Sequence, residues 1–171
     1  MTRILGIDPG SRYTGYGIID CERGRSRMVV CGRIAVASLE MPQRLLRIRQ
    51  ELAALIAEHA PAEVAIEEVF VNKNVQSALV LGQARGVAML AAAEAQLPLA
   101  EYAAAQVKLA VTGSGRADKE QVQQMVKVLL NARERLASDA SDALAIALTH
   151  AHVRATHQRA GMSLDKAWGR A

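Results

Sequence analysis

The chain has 171 residues, 51% apolar and 3% aromatic, with 21 Lys and Arg against 17 Asp and Glu for a net charge of +4. That length allows one domain with a substantial core and excludes two independent ones, and so few aromatics mean a core of Ala, Val, Leu and Ile. No stretch reaches the roughly 18 to 20 apolar residues of a membrane span, and the N-terminus lacks the pattern of a cleaved signal. A cytoplasmic protein making no membrane contact is therefore expected.

In chain order, Thr2–Asp8 alternates β-formers and stops at a Pro9-Gly10 turn, which marks a first strand. Residues 14–19 and 28–36 read as second and third strands around a charged turn at 22–25, an antiparallel meander. After Pro42, Leu45, Ile48, Leu52, Leu55 and Ile56 recur at helical spacing up to Pro61. Residues 64–67 form a short apolar strand entered from that helix, the pattern of a buried parallel strand paired with the first. Residues 75–95 are apolar all round, which predicts a helix buried on more than one side; in a domain this small the second side is expected to be another subunit, giving a homodimer. A strand at 98–102 and helices at 104–111, 119–130 and 138–153 complete the order. Residues 1–153 are expected to form an α/β domain, a mixed five-stranded sheet flanked by helices, in the order of ribonuclease H-like folds. Residues 154–171 lose periodicity and are expected to be a basic, mobile tail, supplying +3 of the net charge through Arg154, Arg159, Lys166 and Arg170 against Asp165.

Asp8 and Glu67 each close an otherwise apolar strand. If those strands are parallel neighbours, their carboxyl ends bring the two acids together, where ligand sites of such sheets lie. Asp139 and Asp142, three apart, share a face of the last helix that continues through Ile146 and Val153. Each acid has a plainer reading: a turn before Pro for Asp8, a charge at a strand end for Glu67, an N-cap or first-turn position for Asp139 and Asp142. Together, four oxygen donors on these elements suit Mg²⁺, with Mn²⁺ as a substitute, and two such ions hydrolyse phosphodiesters. His150, eight helical residues and about 12 Å from Asp142, is too distant to share an ion and is expected to be structural. Cys21 and Cys31 have neither metal nor disulfide spacing and are expected to be reduced thiols in a sheet.

The segments Ile4-Leu5-Gly6-Ile7-Asp8-Pro9-Gly10-Ser11, Ala65-Ile66-Glu67-Glu68-Val69-Phe70, 78–86 and Ser138-Asp139-Ala140-Ser141-Asp142-Ala143 resemble, in order and over roughly residues 2 to 153, the RuvC family of bacterial crossover junction endodeoxyribonucleases. The resemblance implies a homodimer that cuts opposed strands of a four-way (Holliday) junction with Mg²⁺ and leaves 5′-phosphates. It implies catalytic and metal-binding roles for Asp8, Glu67, Asp139 and Asp142, DNA contacts by Lys108 and Lys119, and an aromatic at the junction centre, Phe70. RuvA and RuvB are the partners it implies. Phe70 is the one Phe in the chain and sits in a polar stretch with Lys73, suited to stacking on an unpaired base. Arg116 and Lys119 add local basic charge near Gly113-Ser114-Gly115. Three other readings stay open on the residues alone: a phosphotransferase of the actin and sugar-kinase type, tested by ATP binding; a junction-binding scaffold; and a nuclease of this fold acting on RNA.

Overall fold

In the computed structural model, which describes residues 1–68 and 75–161, β1 (Thr2–Asp8), β2 (Tyr13–Glu22) and β3 (Arg25–Ala35) form the expected antiparallel meander. β2 and β3 run further than their apolar stretches because their polar ends are paired. Asp20 on β2 takes the Arg3 guanidinium at 2.7 Å and lies 3.5 Å from Arg27. The charged turn thereby shrinks to Arg23 and Gly24, both at positive φ (50° and 78°), a two-residue connection of the kind that matches strand twist. α1 (Met41–His59) carries Pro42 in its first turn and is followed by Ala60 in the left-handed conformation. It leads into β4 (Glu63–Glu67), which pairs in parallel with β1 through Ile4 to Glu63 and Ile7 to Ile66. After α2 (Val75–Glu94), β5 (Leu99–Tyr102) adds to β4 and gives the sheet order β3-β2-β1-β4-β5. α3 (Ala104–Thr112), α4 (Lys119–Leu130) and α5 (Ser138–Arg159) follow.

Strand alternation sends successive side chains to opposite faces. Leu5, Ile7, Ile18, Val64 and Ile66 face Ile48 and Leu52 of α1 and the alanines of α2. Ile4, Ile19 and Ala65 face Leu144, Ala147 and Leu148 of α5, behind which lie α3 and α4. The result is three layers, with the sheet in the middle.

Two expectations are corrected here. The first concerns α2, whose second side is expected to meet another subunit; within the chain it is α5, from Ala140 to Ala151, that is enclosed on all sides. Within the chain α2 buries one face only, through Ala84, Ala88, Ala91 and Ala92, while Val75 and Leu79 are each 65% exposed and Leu90 51%. α2 is also long and apolar enough to cross a membrane by length and composition, contrary to the expectation that no stretch qualifies. Its Ala, Val and Leu outweigh the scattered Gln and Arg, and its small-residue face packs on α1. Secondly, residues 154–159 are helical. Arg154 pairs with Glu63, and His157 and Arg159 stand in the last turn, where a helix favours positive charge. The supposed tail is thus helical up to Arg159, and residues 162–171, with Lys166, Trp168 and Arg170, lie outside the described residues. Cys21 and Cys31 are free thiols on β2 and β3, as expected.

Candidate active site

β1 and β4 end side by side, so the pairing of Ile7 with Ile66, continued by one residue, sets Asp8 beside Glu67 on the α5 face. The two carboxyl groups are close enough to shift one another, the Asp8 side chain favouring the ionised form of Glu67. α5 can reach them because the sheet beneath it carries no side chains where its backbone passes. Gly6 and Gly17 are paired across β1 and β2, and Gly15 is paired with Asp8. A Cβ on Gly6 would stand 2.1 Å from the Ala143 carbonyl oxygen, one on Gly15 2.0 Å from the Asp139 carbonyl oxygen, and one on Gly17 2.7 Å from the Leu144 side chain. Glycine inside a strand marks close approach of another backbone, and here the approaching backbone carries Asp139 and Asp142. These glycines are the sequence signal that reading by acids alone passes over.

The four acids share one electrostatic neighbourhood. Asp8 is pushed up to about 8, first by burial and then by the charges of Asp142, Glu67 and Asp139, with Lys119 opposing. Glu67 is also raised, by burial and then by Asp142; Lys119, Lys108 and the Asp8 side chain act the other way. Like charges this close are tolerated only with a proton or a cation among them.

Two lysines border the group. The Lys119 ammonium lies 2.8 Å from Asp142 Oδ2, a bond that raises its own pKa. Its position is set by the start of α4, where the Asp118 side chain accepts from Gln121 N–H at 2.8 Å and Gln121 accepts from Asp118 N–H at 2.9 Å. Lys108 on α3 joins Glu67, Lys119 and Asp142 in lining a cleft of about 240 Å³. Arg116 is not brought there: it lines a separate, larger groove of about 690 Å³ between α3 and α4, with Ser114, Glu120 and Gln124. Phe70 and Lys73 lie outside the described residues.

Two arginines near the acids escape a reading based on periodicity. Arg33 on β3, paired with Gly15, holds its guanidinium 3.9 Å from Asp139 and stacks over the Tyr13 ring at 4.3 Å. Arg85 on α2 donates to the Glu67 carbonyl oxygen at 3.2 Å and pairs with Glu101 of β5, bracing the end of β4.

The donor set fits a hard divalent cation, being all oxygen and short of positive charge at Asp8. Among the described residues no three His, Cys, Asp or Glu side chains yet stand at coordinating separation. Asp142 is turned to Lys119 and Asp139 toward Arg33, so the acids are gathered but held by protein cations.

Comparison with known proteins shows the family. The family model for crossover junction endodeoxyribonuclease RuvC matches residues 4–150. The RuvC of Xylella fastidiosa (strain 9a5c) is 56% identical over 99% of both chains, and that of Xanthomonas campestris pv. campestris (strain B100) 54% over the same share. A T. thermophilus RuvC solved in complex with Holliday junction substrate superposes with a TM-score of 0.86 at 33% identity, covering 91% of this chain and 96% of that one. A yeast mitochondrial Holliday junction resolvase, at 15% identity and TM-score 0.66, shares the fold. The chain belongs to the RuvC family of crossover junction endodeoxyribonucleases.

Proposed function

We propose that this chain resolves Holliday junctions by hydrolysing one phosphodiester in each of two opposed strands, during recombination and repair of DNA in the cytoplasm. The observation that carries the reading is the meeting of Asp8 and Glu67, at the carboxyl ends of parallel strands, with Asp139 and Asp142 of α5 in one electrostatic neighbourhood, next to a cleft that Glu67 and Asp142 line with Lys108 and Lys119. Two Mg²⁺ ions, or Mn²⁺ in their place, held by these acids would activate water and stabilise the leaving oxygen, giving 5′-phosphate ends.

The residues themselves supply the rest. Asp8 and Glu67 define the floor and would hold the cation, which would take the place of the Asp8 proton. Lys119 and Lys108 hold the scissile phosphate from one side; as Lys119 leaves Asp142 for phosphate, Asp142 becomes available as a ligand. Arg116, on the next groove, takes a neighbouring phosphate, and contacts of this kind make binding sensitive to salt. Phe70 and Lys73 follow the Glu67 strand end in the chain and are assigned to DNA binding, Phe70 stacking on an unpaired base at the junction centre.

Symmetric cutting calls for two active sites. The exposed Val75, Leu79 and Leu90 of α2 form an apolar face suited to a second copy of the chain, and branch migration by RuvA and RuvB completes the assignment. The decisive experiment incubates a synthetic four-way junction with the protein and Mg²⁺. Paired symmetric nicks are expected from the unaltered chain, and binding without cutting from Asp8→Asn; undiminished cutting by Asp8→Asn would overturn the assignment.

A further inference from the structure

Behind the acid cluster, α5 makes a second polar contact with the sheet. His150, 1% exposed, places Nε2 at 2.8 Å from Glu63 Oε2 and Nδ1 at 2.7 Å from the Tyr102 hydroxyl. The Tyr102 and His150 rings meet edge to face at 5.8 Å, and Arg154 binds the other Glu63 oxygen. Three elements are joined at this point: β4 through Glu63, β5 through Tyr102 and α5 through His150. Tyr102 is also the register partner of Glu67, and its carbonyl oxygen accepts from Glu68 N–H at 2.9 Å.

The spacings on the two elements match. Glu63 and Glu67 lie on one face of β4, four residues or about 13 Å apart. His150 and Asp142 lie eight residues or about 12 Å apart on α5, which runs the other way. Seating His150 on Glu63 therefore delivers Asp142 to Glu67. Between these ends the helix meets the strands through Gly6, Gly17, Ala143 and Ala147. Such small residues let the backbones come close but give few large side chains along this seam, Leu144 and Leu148 among them, to set the helix along its axis. Directional buried polar contacts are the devices that set register in such cases.

We propose that Tyr102, His150 and Glu63 are positioning residues that fix how far α5 sits along β4, and so set the Asp142 to Glu67 spacing on which divalent cation binding depends. The proposal rests on the metal-binding reading above. Through their effect on ligand placement, partners one layer behind a metal site change affinity by roughly 10- to 100-fold.

The test measures Mn²⁺ binding by calorimetry on the DNA-free full chain, junction binding in EDTA, and thermal midpoint. Tyr102→Phe removes one hydroxyl, and His150→Gln keeps a donor for Glu63 while losing Tyr102. Both are expected to bind Mn²⁺ roughly tenfold more weakly, to need correspondingly more Mg²⁺ for half-maximal cleavage, and to bind junction in EDTA as the unaltered chain does. Ile48→Val, which opens a small cavity in α1 on the opposite face of the sheet, serves as a variant of lowered stability and should leave Mn²⁺ affinity unchanged. If Tyr102→Phe and His150→Gln lower the thermal midpoint but hold Mn²⁺ affinity within twofold, the network only stabilises the fold and the proposal fails. If the unaltered chain takes up no Mn²⁺, it is the metal-binding reading that fails.

Discussion

Glu63 and Glu67 are the same residue type on the same face of the same five-residue strand, and the protein treats them in opposite ways. Glu63 is buried, which alone would raise it, but the His150 bond and the charges of His150 and Arg154 outweigh burial and hold it below the ordinary carboxylate range. Glu67 is partly buried beside Asp8 and Asp142, and its nearby cations leave it raised. The start of the strand is a satisfied network, whereas its end is an excess of negative charge. Burial is common to both, so it does not distinguish them; the supply of counter-charge does. A structure that completes one set of partners and withholds them from the other, within about 13 Å, reserves the second for something from outside.

The largest effect expected from this contrast is on chemistry. Asp8→Asn should lower junction cleavage by roughly 10³-fold or more, equivalent to about 4 kcal/mol of lost transition-state stabilisation, in single-turnover assays. In EDTA at neutral pH the same variant should be more stable than the unaltered chain, since Asn is neutral without the proton uptake that folding imposes on Asp8; equal or lower stability in urea titrations would break the comparison.

At the satisfied end the sign reverses. Glu63→Ala removes the carboxylate that binds His150 and Arg154 and should cost about 3 kcal/mol of stability, read from the urea midpoint.

The pH dependence sharpens the same point. Asp8, raised to about 8 when folded, holds a proton between the ordinary carboxylate value near 4 and about 8 that the unfolded chain has lost. In EDTA, stability should therefore fall as pH rises through that window, by a few kcal/mol at most. Glu63, lowered when folded, contributes stability above its unfolded value, lost as pH falls through the lower folded one. Saturating Mn²⁺ or the Asp8→Asn change should flatten the neutral-range decline, and urea midpoints from pH 5 to 9 with and without the ion test this.

The smallest effect belongs to a pair in neither region. Arg49 and Glu94 meet at 3.1 Å with both side chains more than 40% exposed, and Arg49→Ala should change stability by no more than about 0.5 kcal/mol. A larger loss would show that exposed pairs also carry the fold, weakening the contrast.

The element order and the four acids were legible in the residues for a local reason. Period-2 and period-3.6 patterns declare strands and helices, and an acid at the end of an apolar run stands out whatever surrounds it. His150 as a structural residue was legible too, from helical rise alone. The extent of α5 was not. Nothing in the sequence from Arg154 to Arg159 looks amphipathic, and it is the ion pair with Glu63, distant in sequence, that carries the helix onward. Arg33 and Arg85 were missed because each approaches an acid from another element. Arg116 was grouped with Lys119 by proximity in the chain, yet the fold turns it into a different groove.

By itself, then, the sequence determined which elements form, which strands pair in parallel and which acids lie at their ends, since these follow from short-range periodicity and strand polarity. The tertiary structure alone decided which of two Ala-rich helices lies at the centre. Composition records that α2 and α5 are apolar but not what covers them, and the choice is made by Gly6, Gly15 and Gly17, whose missing side chains admit the backbone of α5 and with it Asp139 and Asp142. Space of that kind exists only once the strands are paired, so no single segment can declare it.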